Sequence, residues 1–253
     1  DISNPETVDE CMVGIDWVFH KAAVASVPRT VNDPVGSSAV NYQGTLHLLE
    51  AARNNGVKRF VFASSAALYG DEPTLPKVET MCPVTLSPYA VDKLASEFAC
   101  GMYTKLYGLE TVCLRYFNVY GPRQDPSSPY SGVISIFTDK LKNNVVPTIF
   151  GDGEQTRDFV YVGDVVEANM KAATTESGTG QYYNIATGQK ITLNKLLEVL
   201  SAIYETDFKA DYEDPRSGDI KDSYAVVEKA SKILGWQPSV KLEQGLKVLC
   251  DSL

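Results

Sequence analysis

Val57-Lys58-Arg59-Phe60-Val61-Phe62-Ala63-Ser64-Ser65 decides how this chain is read. Its apolar, β-favouring run predicts a strand buried on both faces, and it ends on two serines, which places Ser65 at the strand's carboxyl end. Working outward, Asp16-Trp17-Val18-Phe19-His20 reads as a second such strand and Thr111-Val112-Cys113-Leu114-Arg115-Tyr116-Phe117 as a third. Helical stretches at 39–55 and 88–106 lie between them, with Gly56 and Gly108 following as natural C-caps. Strands alternating with helices predict an α/β fold with a doubly wound parallel sheet, whose ligands bind outside the strand carboxyl ends. Ser65, Asn118 and the start of the 88–106 helix all reach that edge.

Tyr89 follows Ser65 by 24 positions and opens Tyr89-Ala90-Val91-Asp92-Lys93. Ser87 suits a helix N-cap and Pro88 the first helical position, so Tyr89 and Lys93 fall at i and i+4 on one face. Alone, a tyrosine and lysine at this spacing are ordinary helix residues. Beside a strand ending in Ser65 they predict a hydride-transfer base. A free phenol titrates near about 10, and an adjacent ammonium is expected to lower that value, with Ser65 binding the reacting hydroxyl.

From these residues the chain resembles the extended short-chain dehydrogenase/reductase family, in its nucleotide-sugar epimerase group. Asp1-Ile2 is similar to that family's adenine-contacting pair, His20-Lys21-Ala22-Ala23 to its H-x-A-A cofactor segment and Asn41-Tyr42-Gln43-Gly44-Thr45 to its N-x-x-G-T helix. Ser64-Ser65-Ala66-Ala67-Leu68-Tyr69-Gly70 resembles the catalytic serine segment, and the run from Leu114 through Tyr116, Asn118 and Gly121 to Gln124 the strand with nicotinamide and diphosphate contacts. Gly151-Asp152-Gly153, Arg157-Asp158-Phe159-Val160-Tyr161-Val162 and Arg216-Ser217-Gly218-Asp219 are similar to its nucleotide-binding segments. The resemblance implies NAD as cofactor, contacted by Asp1, Ile2, Ala22, Ala23, Asn41, Tyr89, Lys93 and Tyr116. It implies a catalytic Ser65, Tyr89 and Lys93. It also implies a UDP-sugar held by Ser26, Ser65, Tyr89, Asn118, Arg157, Arg216, Asp219 and Ser223. The mechanism this resemblance implies has Tyr89 take the proton of the sugar's 4-hydroxyl while hydride leaves the same carbon. The 4-keto sugar then turns about its diphosphate linkage, and reduction of its other face inverts the centre.

No G-x-G-x-x-G or G-x-x-G-x-x-G occurs, and the chain opens on Asp1. In the family the glycine loop precedes the Asp-Ile pair, so the resemblance predicts a Rossmann-like sheet lacking its N-terminal strands, roughly 60 residues at about 30 per βα unit. A sheet edge and an apolar face would be exposed, and the pyrophosphate would have no cradle within this sequence. The expected organisation is a partial NAD-binding domain over 1–120 with returns near 157–187, and a smaller interleaved substrate lobe over 121–156 and 188–253. Helices are expected near 134–143, 165–174 and 193–204, with a last helix at 226–234. The family also implies a homodimer through a four-helix bundle of 39–55 and 88–106.

Composition agrees. The chain has 253 residues, 44% of them hydrophobic, and a net charge of −9, which argues against nucleic-acid or anionic-membrane partners. Five cysteines without C-x-x-C read as reduced thiols, hence a cytoplasmic protein; no signal peptide or long apolar run is seen. Two histidines, His20 and His47, lack ligand-like neighbours, so no metal is expected.

Substrate choice is less sharply written. Ser26-Val27-Pro28-Arg29, Leu86-Ser87-Pro88 and the small Ser223, at the family's gate position, resemble epimerases of N-acetylated UDP-hexosamines. Ala66 and Ala67 resemble the unacetylated group. The expectation is UDP-glucose and UDP-galactose, with tolerance of the N-acetyl forms. The absence of an acid just after Ser65 separates the chain from sugar 4,6-dehydratases. Two alternatives remain: a UDP-glucuronate decarboxylase or epimerase, and a non-catalytic nucleotide-sugar-binding relative.

Overall fold

A computed structural model describes residues 1–124, 132–207, 209–215 and 220–253. Helix α1 (Pro5–Met12) starts where the Asn4 side chain accepts from Thr7 N, and leads to β1 (Trp17–His20). The short α2 (Val27–Asn32) and α3 (Pro34–Ser38) are capped by Ser26 and Asp33; α3 runs through a π-helical turn, Ala39–Gln43, into α4 (Gly44–Asn54). The helix expected at 39–55 therefore starts earlier, because Asp33 and Pro34 supply the cap and first residue. Strand β2 (Arg59–Ser65), a 3₁₀ turn (Ala66–Tyr69), α5 (Pro88–Tyr107) and β3 (Thr111–Tyr116) follow, with Ser87 capping α5 and Gly108, at φ 73°, ending it.

The remaining elements are β4 (Asn118–Tyr120), α6 (Val133–Lys142), β5 (Thr148–Phe150), β6 (Thr156–Arg157), β7 (Phe159–Tyr161), α7 (Val162–Thr174), β8 (Gln181–Ile185), β9 (Ile191–Thr192), α8 (Leu193–Ile203), β10 (Asp211–Glu213), α9 (Glu228–Leu234) and α10 (Leu242–Asp251). The sequence reading ended on α9 and missed α10, although Leu242, Leu246 and Leu249 stand at helical spacing and are buried.

Among the described residues the main sheet runs in the order β1-β2-β3-β8, all parallel. Phe60 and Phe62 pack with Leu49, Ala52, Cys100 and Tyr103 of α4 and α5. Val61, Val112 and Leu114 pack on the opposite face with Val165, Ala168 and Ala172 of α7 and with Ala230, Leu234 and Trp236. Burial on both faces is why β2 reads as a continuous apolar run rather than an alternation. β1 lies at the sheet's edge, with Trp17 41% and Phe19 38% exposed. A separate apolar cluster joins Ile134, Phe137 and Leu141 of α6, Leu196 and Leu200 of α8 and Leu246 and Leu249 of α10. Apart from this sheet, β4 pairs with β7 and β5 with β10 in parallel, and β6 with β9 antiparallel.

Candidate active site

Ser65 is the last residue of β2 and stands opposite Tyr116 of β3 in the sheet register. Its Oγ accepts from Ala67 N at 3.1 Å, which turns the chain into the 3₁₀ segment at the strand end. That turn closes on Gly70, at φ 53°, where a Cβ would lie 1.7 Å from the Val84 carbonyl oxygen, so only glycine fits. Tyr89 sits in the first turn of α5, where the Ser65 hydroxyl is near enough to act on its phenol. Lys93, one turn on, is buried; its Nζ donates to the Ala63 carbonyl at 2.7 Å and lies 4.7 Å from the Phe62 ring centre and 5.7 Å from that of Tyr89. Three residues legible in the sequence are thus brought together.

The electrostatics correct the expectation for Tyr89. Burial pushes its phenol above the ordinary value, the Ser65 hydroxyl opposes this, and Lys93 does not reverse it. The physical reason is that burial acts on both partners. Loss of water brings the Lys93 ammonium itself down to about 8, and its nearest oxygen belongs to Ala63.

At the end of β1, strand alternation sends His20 and Lys21 to opposite faces. His20 is buried and held at about 3 by desolvation, with Lys93 and Lys21 adding to the effect. Its Nε2 donates to Thr45 Oγ1 at 2.9 Å, since that hydroxyl's own proton goes to the Asn41 carbonyl. Lys21 reaches Tyr116 OH at 2.6 Å and Asn169 Oδ1 of α7, and desolvation followed by Lys93 lowers it to about 8. Sequence reasoning quoted Lys21 inside its motif without assigning it a role.

Asn41 takes a supporting place. Its amide exchanges hydrogen bonds with Val24 N and O at 2.7 and 3.2 Å and approaches Asp92 at 3.4 Å, so it fastens the Ala22-Ala23 loop from behind. Gly44 is required because a Cβ there would sit 2.8 Å from Ile2 Cγ1; Ile2 also accepts from His47 Nδ1 at 3.2 Å. Asp1 is exposed, with Oδ1 accepting from Ser3 N and Oγ, both at 2.9 Å. The small Ala22 and Ala23 leave the end of β1 open to close approach, with Tyr89, Lys93 and Tyr116 on the neighbouring elements. This donor set fits the nicotinamide and ribose half of a dinucleotide.

Two of the residues expected on the substrate side, Asn118 and Arg157, line one cavity of about 460 Å³ with Phe137, Ile149, Phe150 and Gln155. Asn118 donates to the Asp158 carbonyl at 3.1 Å, and Arg157 Nη1 to that of Thr156 at 2.8 Å. A second cavity of about 530 Å³ adjoins it, sharing Phe150, Gln155 and Glu213 and reaching Pro215 and Lys221. Ser223 is half-buried, with its N–H on the Thr156 carbonyl at 3.2 Å, next to Arg157 in sequence. Arg216 and Asp219 lie outside the described residues. Ser26 is buried, and its Oγ accepts from Arg29 N as the cap of α2. The sequence reading quoted Asp158 without weighing it. Its buried carboxylate accepts from Thr187 N and Oγ1 and Gly188 N at 2.7, 2.6 and 2.9 Å and so holds the backbone that carries Asn118 and Arg157.

The sequence pattern of the NAD dependent epimerase/dehydratase family matches residues 1–186, and the chain belongs to that family. It is 40% identical over 230 residues to the UDP-glucose 4-epimerase of Mycolicibacterium smegmatis, covering 90% of this chain and 73% of that protein. The solved UDP-glucose 4-epimerase of Thermotoga maritima, with UDP-glucose, superposes with a TM-score of 0.95 at 39% identity over 100% of this chain and 82% of that one. The UDP-N-acetylglucosamine 4-epimerase of Methanobrevibacter ruminantium, in complex with UDP-N-acetylmuramic acid, gives 0.93 at 38% identity, over 97% and 78% respectively.

Proposed function

We propose that this chain is an isomerase that inverts carbon 4 of a UDP-hexose with NAD, taking UDP-glucose and UDP-galactose and tolerating N-acetylated forms. The observation that carries this reading is the meeting of Ser65, Tyr89 and Lys93 at the carboxyl edge of a parallel sheet, two residues along the chain from Tyr116 to the cavity that Asn118 and Arg157 line. NAD, when bound, takes up and returns a hydride at the sugar carbon. Tyr89 moves the proton of the 4-hydroxyl, and Ser65 orients that oxygen and favours the phenolate. Lys93 holds a positive charge beside Tyr89 below about pH 8. Asn118, Arg157 and Arg216 anchor the uridine and diphosphate while the sugar turns, since guanidinium groups bind phosphate oxygens strongly, and Asp219 belongs to the same substrate-binding segment as Arg216. Asp1, Ile2, Ala22 and Ala23 contact the cofactor, with Asn41 behind them.

The same proposal divides the chain into a cofactor lobe and a substrate lobe near the expected boundaries, with residues 228–236 returning to the sheet, as the packing of Ala230, Leu234 and Trp236 supports. It includes a homodimer in which α4 and α5 pair with those of a second copy. Val91, Phe98, Met102 and Leu106 form an exposed apolar stripe on α5 in support. Phe98→Asp is expected to turn a dimer into a monomer in light scattering. A cytoplasmic setting belongs with it, since all five cysteines are free. Among the described residues no helix is long and apolar enough to cross a membrane.

The deciding assay incubates the chain and NAD with UDP-glucose and UDP-galactose separately. Convergence on the same mixture from both sides is the expected result. Carbon dioxide released from UDP-glucuronate, with no interconversion of the neutral sugars, would replace this reading by a decarboxylase.

A further inference from the structure

Behind the Ser65, Tyr89 and Lys93 face lies a buried polar chain with no role in the proton transfer described so far. Glu97 stands on α5 one turn beyond Lys93 and two beyond Tyr89, hence on their face of the helix. Its carboxylate takes a forked ion pair from Arg115 of β3, Nε to Oε1 at 2.9 Å and Nη2 to Oε2 at 2.7 Å, and Oε1 also accepts from Ser64 Oγ at 2.6 Å. Both charged side chains are 1% exposed. The remaining guanidinium nitrogen, Nη1, donates to Tyr69 OH at 3.0 Å, and that hydroxyl donates to Asn184 Oδ1 of β8 at 2.7 Å. Asn184 N in turn donates to Glu79 Oε1 at 2.9 Å.

Ser64 immediately precedes Ser65, and Tyr69 closes the 3₁₀ turn that Ser65 caps. Both ends of the segment that presents Ser65 are therefore tied, through Glu97 and Arg115, to the helix that presents Tyr89 and Lys93. A buried ion pair is a poor way to add stability, because desolvation of the two ions offsets most of their attraction and an apolar pair of equal volume is often as stable. Direction is what the forked pair adds, since a planar guanidinium meets a carboxylate in one relative orientation.

We propose that Glu97 and Arg115 are positioning residues: by fastening the strand end at Ser64 and the turn end at Tyr69 to α5, they set the distance and angle between Ser65 and the Tyr89 phenol. The reaction served rests on the reading above; the geometry does not. Tyr89 is pushed up by burial and drawn back by the Ser65 hydroxyl, so slackening Ser65 moves its titration upward. The other charged or titratable groups about this face are Lys93, Asp92 and Cys100 on α5, Cys113 and Tyr116 on β3, His20 and Lys21 at the end of β1, and Glu79 beside Tyr69. Ser64→Ala and Tyr69→Phe leave them in place, whereas Glu97→Gln also removes a negative charge that acts on Lys93.

The test is spectroscopic and uses the full chain without sugar. Tyrosinate absorbance of the parent minus that of Tyr89→Phe isolates the Tyr89 titration, and the same difference is taken in each variant background. Ser64→Ala and Tyr69→Phe are each expected to move it upward by about half a pH unit or more, the scale of one weakened hydrogen bond, whereas Glu97→Gln also frees the Arg115 charge, which by itself favours the phenolate. In the sugar assay Ser64→Ala and Tyr69→Phe lower kcat about tenfold with KM within about twofold. Ser64→Thr, which keeps the hydroxyl, restores both. Glu97→Gln leaves Arg115 without its counter-charge and can fail to fold, but Ser64→Ala and Tyr69→Phe each remove one hydroxyl and keep the test decisive. Leu200→Ala, in the α6/α8/α10 cluster, lowers the melting temperature and leaves the titration in place. Ser64→Ala and Tyr69→Phe behaving like Leu200→Ala, less stable but with an unmoved Tyr89 titration and kcat, would overturn the proposal. A parent chain without sugar interconversion would reject the epimerase reading and leave the titration result in force.

Discussion

The Ser65, Tyr89 and Lys93 edge and the Asn118 and Arg157 cavity are built by different means. The first stands on a seven-residue strand and a twenty-residue helix, with the buried Glu97 and Arg115 pair behind it. The second is carried by strands of three and two residues, β4 and β6, paired with β7 and β9, and held by one carboxylate, Asp158, that ties its own segment to Thr187-Gly188 and to Ala225 N. Long elements buried on both sides fix the reacting groups. Short ones shape the part that must accept a particular sugar and let it turn, and loops on a rigid scaffold are where binding differences accumulate.

The largest effect expected from breaking this comparison is at the rigid edge. Tyr89→Phe removes the proton-moving group and should lower kcat by about 10³-fold, with KM little changed, in the interconversion assay. Retention of near-parental kcat would remove Tyr89 from the mechanism. Arg157→Ala at the cavity should act mainly on KM, raising it by roughly 10- to 100-fold, because a charge-assisted hydrogen bond is worth about 1.5–3 kcal/mol. A fall in kcat alone would mean that the cavity and the edge are not separate in function.

A smaller effect follows from Lys93. Its folded value is near 8 against an ordinary 10.5, so between these limits the unfolded chain carries the extra proton. Stability should therefore rise with pH across that window, until buried phenols such as Tyr116, raised by burial, act against it above about 10. Melting temperatures from pH 8 to 10 should climb in the parent and climb less steeply in Lys93→Met, where Lys21, also lowered to about 8 by desolvation, still contributes. The smallest effect is at the soft end. Ser223→Tyr should lower kcat/KM for the N-acetylated sugar by about tenfold and leave UDP-glucose within about twofold, as a filled pocket costs the larger substrate about a kcal/mol or more. Equal losses for both sugars would show that Ser223 does not gate the pocket.

Much of the rigid edge was legible because local rules suffice there. The run from Phe60 to Ala63 is apolar on both faces, Ser87 and Pro88 open a helix, and the i, i+4 spacing puts Lys93 above Tyr89 whatever surrounds them. α10 was missed because Leu242, Leu246 and Leu249 follow a polar connection and gain meaning only from the α6 and α8 residues they meet. The cap that Ser26 gives α2 was not legible either, because a serine before Val27-Pro28 looks the same whether it caps a helix or faces a ligand. Lys21, Asp158 and Glu97 gave no signal of their own, since what each does is defined by partners distant in sequence: Asn169, Thr187 and Arg115.

The sequence by itself determined the parallel α/β sheet, the serine at a strand end and the tyrosine–lysine face, because strand periodicity, helix caps and four-residue spacing act over a few neighbouring residues. Tertiary structure alone decided the direction of the Tyr89 shift, the lowered charge of Lys93, the place of Ser26 and the tie between Ser64 and Glu97. Desolvation and buried hydrogen bonds depend on what covers a group, and the covering residues come from elements far apart along the chain.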